Sequence, residues 1–293
     1  MSTFLIFGAS GPVGGFLLPR LLARAVSVQA VSRTPPRASA TPLLQWFAAD
    51  LFDPAIDVPA GADVIVSLGP LDAFSIWFER AQPAAVRRVV ALSSMSAESK
   101  RASPDPGERD VAARLVAAEQ RLARAAQARG IVWSVLRPTL VYGDGRDRSL
   151  APIARFARRW HVLPIPIGAD GLRQPLHADD LAAAVAAVVD CPVAAGKVYP
   201  LGGGERLRFD DLLRRLRAAL PGIVLPLPVP RLVLQIAQRL RAGNALIGGA
   251  ALRRLGEPLL ANNGAAAQDF GYAPRPFIAG DVLPEKTSGP APE

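Results

Sequence analysis

The chain has 293 residues, half of them hydrophobic and a fifth charged; this excludes wholesale disorder and, at about 150 residues per domain, suggests two domains or one large one. A single cysteine, Cys191, and two histidines, His161 and His177, exclude an internal disulfide, a CxxC site and a His-rich metal centre, so no metal is expected. The formal charge of +9 rests on 34 basic residues, of which only Lys100, Lys197 and Lys286 are lysines; the arginines are scattered in ones and twos without interleaved aromatics, which argues against a nucleic-acid partner.

Phe4-Leu5-Ile6-Phe7 is a continuous apolar run, the pattern of a strand buried on both faces of a parallel sheet. No positive segment precedes it and it ends at Gly8, so no signal peptide is expected. Gly8-Ala9-Ser10-Gly11-Pro12-Val13-Gly14 follows, then a helix carrying Phe16, Leu17, Leu21 and Leu22. Pro12 suits the first helical position, whereas Pro19 lies inside the helix and should kink it. Further strands are predicted at 28–32, 44–48, 62–68 and 89–94, with a helix over 72–85 before the last. A long helix covers 110–129, stopped by Gly130, and 131–136 is a sixth strand ending in Arg137-Pro138. Strands alternating with helices predict an α/β, Rossmann-like doubly wound parallel sheet.

Past Tyr142 the rhythm changes. Residues 149–160 carry a helical apolar stripe through Leu150, Ile153, Ala154, Ala157 and Trp160. The Pro-rich run 163–168 cannot be a central strand. Asp179 opens a helix whose body, 181–189, is apolar all round and therefore buried. Residues 197–201 form another strand. From Phe209 the chain reads as helical and Pro-broken, and 284–293 as a flexible tail. The expected division is a Rossmann domain, 1–142 plus about 177–203, and a smaller, mainly helical domain, about 143–176 plus 204–283. No stretch approaches the roughly 18 apolar residues of a membrane helix, and a cytoplasmic location is expected.

The glycines Gly8, Gly11 and Gly14 follow a buried strand and open a helix. In a dinucleotide site the first permits the tight turn, the second lets the backbone approach a pyrophosphate, and the third lets the helix lie close on the strand. Ser10, Pro12 and Val13 complete that loop. The alternative is a turn whose glycines serve only packing. The second strand ends Val31-Ser32-Arg33-Thr34, with Arg37 beyond and no carboxylate where an NAD site usually places one, about 20 residues after the loop. Ser32 can donate to a phosphate and Arg33 can pair with a 2′-phosphate, so NADP is expected, with NAD possible if Arg33 is only a solvated loop charge.

Several motifs occur in order: the glycine loop, Ala49-Asp50-Leu51, Leu92-Ser93-Ser94, Leu136-Arg137-Pro138-Thr139-x-x-Tyr142-Gly143, and Pro175-Leu176-His177-x-Asp179-Asp180-Leu181-Ala182. Together they resemble the atypical and extended short-chain dehydrogenase/reductase superfamily, the NAD-dependent epimerase/dehydratase-like group, over about residues 3–205. The resemblance implies that Asp50 and Leu51 contact the adenine and that Ser67, Leu68 and Gly69 line the cofactor. It implies that Ser94 stands at the catalytic Ser/Thr position, with Ser93 among the cofactor-binding residues and Pro138 and Thr139 near the nicotinamide. His177 and Asp180 match residues that mostly anchor the smaller domain; Asp180 is read as a helix cap and His177 as a hydrogen-bonding histidine before a base.

The departure from the family is the Tyr-x-x-x-Lys motif. Counting back from Glu119, the matching positions are Val111 and Leu115, neither able to do acid–base work. Tyr142, Tyr199 and Tyr272 are followed four residues later by Arg146, Gly203 and Pro276. The remaining proton donors are water, Ser94, Tyr142 and His177. Two readings stay open: an NADP-dependent oxidoreductase or epimerase-like enzyme on a small carbonyl or sugar-like substrate, and a non-catalytic NADP-binding sensor, regulator or assembly factor with a protein partner. A monomer or homodimer fits either. Arg146, Arg148, Arg155, Arg158 and Arg159 are candidates for an anionic group or form a solvated helix face. The Leu/Arg-rich segment 223–255 covers the cleft, a partner or a membrane surface, or packs the small domain.

Overall fold

The computed structural model describes residues 2–36, 41–83, 85–230 and 254–283. Arg37, most of the Leu/Arg-rich segment and the predicted tail lie outside them.

The sequence alternation produces a seven-stranded sheet. Its strands are β1 (Thr3–Phe7), β2 (Ser27–Ser32), β3 (Leu44–Ala48), β4 (Val64–Ser67), β5 (Arg88–Leu92), β6 (Val132–Pro138) and, later in the chain, Lys197–Leu201. The order is β3-β2-β1-β4-β5-β6 and then the 197–201 strand, every pairing being parallel. The chain runs from β1 outward to β3 and then crosses back to place β4 on the other side of β1. That reversal opens a crevice beyond the carboxyl ends of β1 and β4.

Side chains on β1 alternate between two cores, as the two-residue strand period requires. Phe4 and Ile6 join the helices α1 (Pro12–Ala23) and Ala178–Val189 on one face. Leu5 and Phe7 join α2 (Leu71–Ala81) and Pro106–Gln127 on the other. The helix α1 starts at Pro12 as expected and continues through Pro19, which is exposed; the carbonyl freed by the missing N–H can turn to water there.

Several boundaries differ from expectation. The helix α2 ends at Ala81 because Gln82 adopts a left-handed φ of +46° and Pro83 follows. A short helix not anticipated in the sequence, α3 (Ser96–Ser99), begins where Ser94 Oγ accepts from Ser96 N at 3.1 Å. The long helix α4 (Pro106–Gln127) starts four residues early, because the Asp105 side chain accepts from Gly107 N and Glu108 N ahead of Pro106. That Asp-Pro pair is a readable start signal.

Beyond β6 come β7 (Val141–Tyr142), α5 (Ala151–Trp160), β8 (Val162–Pro166), β9 (Leu172–Arg173), β10 (Leu176–His177), α6 (Ala178–Val189), β11 (Lys197–Leu201), β12 (Leu207–Arg208) and α7 (Phe209–Ala219). The Pro-rich run is outside the central sheet, as expected. It pairs in parallel with β13 (Leu225–Val229), so the wholly helical reading after Phe209 is corrected: Pro226 and Pro228 favour an extended chain. A third cluster of buried apolar side chains, including Leu150, Ala154, Leu163, Leu212 and Leu216, holds α5, α7 and β8 together. Helix α8 (Gly264–Phe270) and a final segment to residue 283 close on α6 and β11.

Candidate cofactor and substrate cleft

A cleft of about 780 Å³ opens over the carboxyl ends of β1, β2, β4 and β5. Gly8 takes a φ of +73°, and a Cβ on it would lie 3.0 Å from Gly69 N. Gly11 leaves only 3.2 Å between such a Cβ and the Gly8 carbonyl. Gly14 is the tightest: a Cβ would sit 2.0 Å from the Ala9 carbonyl, so α1 rests on the strand exit only because this position has no side chain. The first turn of α1 has no acidic residue, and Gly11 offers no side-chain cap. Its N–H groups are left for an anion. A backbone cradle that any Cβ would fill, beside a helix N-terminus, fits a dinucleotide diphosphate.

Of the residues proposed from the sequence, Gly8, Ser10, Gly11, Pro12, Val13, Ser32, Arg33, Asp50, Leu51, Leu68, Gly69, Ser93, Ser94, Pro138 and Thr139 all line this cleft. Gly14 and Ser67 do not. Gly14 lies beneath the loop, and Ser67 is fully buried, its Oγ without a hydrogen-bond partner among the described residues. Ser10 and Ser32 share a hydroxyl hydrogen bond of 2.6 Å, and Ser32 Oγ also accepts from Thr34 N. This ties the glycine loop to the end of β2. Arg33 is exposed, with no ion pair or hydrogen bond among the described residues. Asp50 turns the chain after β3 by accepting from Phe52 N at 3.1 Å. The Thr139 hydroxyl donates to the Gln174 carbonyl at 2.5 Å and so is occupied.

The floor continues through Ser93 and Ser94 to Leu115, which lines the cleft from α4. Ser93 Oγ donates to Glu119 Oε1 at 2.5 Å, and Arg137 Nε reaches the same oxygen at 2.8 Å. The Glu119 carboxylate hydrogen-bonded to it raises the Arg137 pKa further, against the opposing effect of burial. Ser94 Oγ accepts from Ser96 N, which leaves its own hydrogen free to donate.

Two residues expected near the chemistry are elsewhere. Tyr142 is fully buried and absent from the cleft lining; its oxygen accepts from Ile278 N at 3.0 Å. Burial pushes its phenol up to about 12. His177 is also buried and off the cleft. Its Nδ1 accepts from Asp179 N at 3.1 Å, so His177 itself caps α6. Burial, with Arg275 nearby, lowers its pKa, which keeps the ring neutral and able to accept. The expectation that Asp180 caps the helix is therefore corrected. Asp180 instead receives Arg275 N and Nε, each at 2.9 Å, and fastens the final segment to α6. Glycine choice reinforces this packing, since a Cβ on Gly143 would meet His177 Nε2 at 2.8 Å.

The opposite wall belongs to the 143–149 loop, where Arg146, Asp147, Arg148 and Ser149 line the cleft. Arg155 instead donates to the Gly145 carbonyl at 2.7 Å, and Arg159 stacks over Trp160. Among the described residues no cluster of His, Cys, Asp or Glu is arranged to hold a metal ion, and no helix is long and apolar enough to cross a membrane.

Residues 8–152 match the NAD(P)H-binding family. An 80-residue stretch is 30% identical to NADH dehydrogenase [ubiquinone] 1 alpha subcomplex subunit 9, mitochondrial, of Dictyostelium discoideum, covering 27% of this chain and 22% of that protein. A 115-residue stretch is 28% identical to UDP-glucose 4-epimerase of Vibrio cholerae, covering 39% of this chain and 34% of that one. The chain thus matches about a fifth and a third of the length of these curated relatives. The solved structure of MoeE5 in complex with UDP-glucuronic acid and NAD superposes with a TM-score of 0.74 over 96% of both chains at 20% identity. Residues 8–152 thus match the NAD(P)H-binding family, and the chain shares the fold of solved NAD-bound structures such as MoeE5 and DesIV, a dTDP-glucose 4,6-dehydratase from Streptomyces venezuelae, the latter 19% identical over 96% of this chain and 94% of that one with a TM-score of 0.70.

Proposed function

We propose that the chain is an NADP-preferring oxidoreductase or epimerase-like enzyme acting on a small carbonyl or sugar-like substrate, without a Tyr–Lys proton relay. The observation that carries this reading is one continuous cleft. Its glycine cradle and Arg33 form one end, Ser93 and Ser94 the other, and the 146–149 loop lines it from the facing wall, with Arg146 reaching the cradle. In it Gly8, Gly11 and the first turn of α1 hold the diphosphate, with Ser10, Pro12 and Val13. Ser32 and Arg33 face the adenosine 2′-phosphate, and Asp50, Leu51, Leu68 and Gly69 the adenine side. Ser67 backs that wall, and Pro138 and Thr139 flank the nicotinamide. The bound cofactor supplies a hydride donor or acceptor. Ser94, whose hydrogen is uncommitted, orients a substrate carbonyl by donating to it, and water exchanges the proton. Tyr142 and His177, given their burial, serve the fold rather than the reaction. The epimerase relative and the UDP-glucuronic acid complex of the similar fold support a sugar-like substrate.

A second reading is a non-catalytic NADP-binding protein. It is favoured by the apolar Leu115 at the cleft, by the withdrawal of Tyr142 and His177 from it, and by the likeness to a subunit of NADH dehydrogenase. One experiment separates the two: titrate NADPH and NADH, then supply a panel of carbonyl compounds and nucleotide sugars with the tighter cofactor. The enzyme reading expects NADPH to bind more tightly and at least one compound to turn over. Tight binding with no turnover across the panel favours the second reading, and equal affinities overturn the preference for NADP.

A further inference from the structure

The loop between β7 and α5 carries Arg146 across to the glycine loop. Its Nη1 donates to the Ser10 carbonyl at 3.2 Å. Its Nη2 lies directly over the first turn of α1, where a Cβ on Gly15 would be only 2.5 Å from it. The guanidinium is half-exposed and lines the cleft. Its ion-pair partner among the described residues is Asp144, whose Oδ2 accepts from Nε at 2.6 Å, pairs with Nη2 as well, and lies 3.8 Å from the same Gly15 Cβ position. That carboxylate belongs to the same loop and moves with the arginine.

Of this guanidinium's nitrogens, Nη1 has no anionic partner among the described residues. The N-terminal end of α1 carries partial positive charge, and it has neither an acidic residue in its first turn nor a side-chain cap. The guanidinium beside it is balanced by Asp144 through Nε and Nη2, while its Nη1 has only a neutral carbonyl at 3.2 Å, a weak partner. A phosphate oxygen between helix and arginine would satisfy both, with the shorter, stronger bonds of an ionised pair. The loop is also built to hold this pose. Gly143, Asp144 and Gly145 all take positive φ, +117°, +62° and +65°, which is costly at Asp144. Asp147 Oδ1 then accepts from Ser149 N, Leu150 N and Ala151 N, fastening the loop to the start of α5. Arg155 reaches back from α5 to the Gly145 carbonyl.

We propose that Arg146 is a positioning residue that closes the 143–148 loop over the diphosphate of the bound dinucleotide, exchanging the Ser10 carbonyl for a phosphate oxygen. The substrate side of the cleft is then set by the arrival of the cofactor. The proposal rests on the reading of the cleft as a dinucleotide site and adds a clamp from the wall opposite the glycine loop.

The test compares wild type with Arg146→Ala and Arg146→Gln, the latter keeping an amide donor for the Ser10 carbonyl but no charge. Affinities for NADPH and NADH are measured by fluorescence titration, and amide hydrogen exchange over residues 143–150 is followed with and without NADPH. Both variants should weaken NADPH and NADH alike by at least fivefold, and the cofactor should slow exchange in the loop of wild type only. A loss under fivefold, or tighter binding because the arginine had been blocking the seat, overturns the clamp while leaving the cofactor site standing. A wild type that binds neither nucleotide overturns the cofactor reading and the clamp with it. Circular dichroism of the two variants checks that they are folded.

Discussion

Ser93 donates its hydroxyl hydrogen to Glu119 across 2.5 Å, joining the exit of β5 to the middle of α4 at the floor of the cleft. The same carboxylate holds Arg137 from β6 by two contacts, and Arg137 Nη1 reaches Glu98 on α3 at 2.5 Å. Four elements are thus fastened around one buried charge pair. Replacing Glu119 with Gln keeps the shape but leaves the Arg137 charge only the half-exposed Glu98 carboxylate as a partner. Removing one partner of a buried pair costs about 3 kcal/mol or more. Urea unfolding of Glu119→Gln should therefore show a loss of roughly that size, whereas the exposed Arg124→Gln should change little.

Arg33 stands at the end of β2 with no partner among the described residues. If it serves the 2′-phosphate, Arg33→Ala should weaken NADPH by roughly tenfold, the worth of one charge-assisted hydrogen bond, about 1.5 kcal/mol. NADH should bind as before. An equal loss for both nucleotides would mean that Arg33 contributes only general positive charge.

Glycines at two positions should respond differently to alanine. At Gly14 the added Cβ would meet the Ala9 carbonyl at 2.0 Å, backbone that cannot move without lifting α1 from the strand exit. Gly14→Ala should cost about 2 kcal/mol or more and weaken cofactor binding. Gly130 has φ of +65° and nothing within 4 Å of a Cβ, so Gly130→Ala should cost only the left-handed strain, about 1 kcal/mol, and leave binding intact. Thermal melts with and without NADPH read both effects.

His177 has a pKa lowered in the folded chain by burial and by Arg275. The unfolded chain, with a histidine near about 6.5, takes up its proton first as pH falls. The stability tied to the neutral ring is therefore present above that pH and is lost as pH drops through the folded value. His177→Asn keeps a side-chain oxygen for the cap and removes the titration. Its melting temperature should fall less steeply than that of wild type between pH 7 and pH 5.

Tyr142 accepts from Ile278 N while fully buried, its phenol raised to about 12. A phenol in that state is a poor proton carrier near neutrality. Tyr142→Phe should lose about 1 kcal/mol of stability for the unmade bond and retain whatever turnover the wild type has. A large fall in turnover with an unchanged melting temperature would return Tyr142 to the reaction.

The amino-acid sequence by itself determined what depends on local pattern. Continuous apolar runs such as Phe4-Leu5-Ile6-Phe7 specified strands buried on both faces, and the spacing of Gly8, Gly11 and Gly14 after the first of them specified the cradle. Both follow from contacts only a few residues apart, as the 2.0 Å approach between position 14 and Ala9 illustrates. Element ends are legible only through their caps: the apolar spacing places the start of α4 at residue 110, whereas the Asp105 cap sets it at Pro106. Tertiary structure alone decided which polar side chains reach the cleft. Tyr142 and His177 belong to the motifs, yet they turn toward Ile278 and Asp179. Asp180 holds Arg275 from 95 residues away, and Arg146 meets Ser10 across 136. Such pairings depend on how the final segment and the 143–149 loop pack against the sheet, and no short-range period encodes a contact of that length.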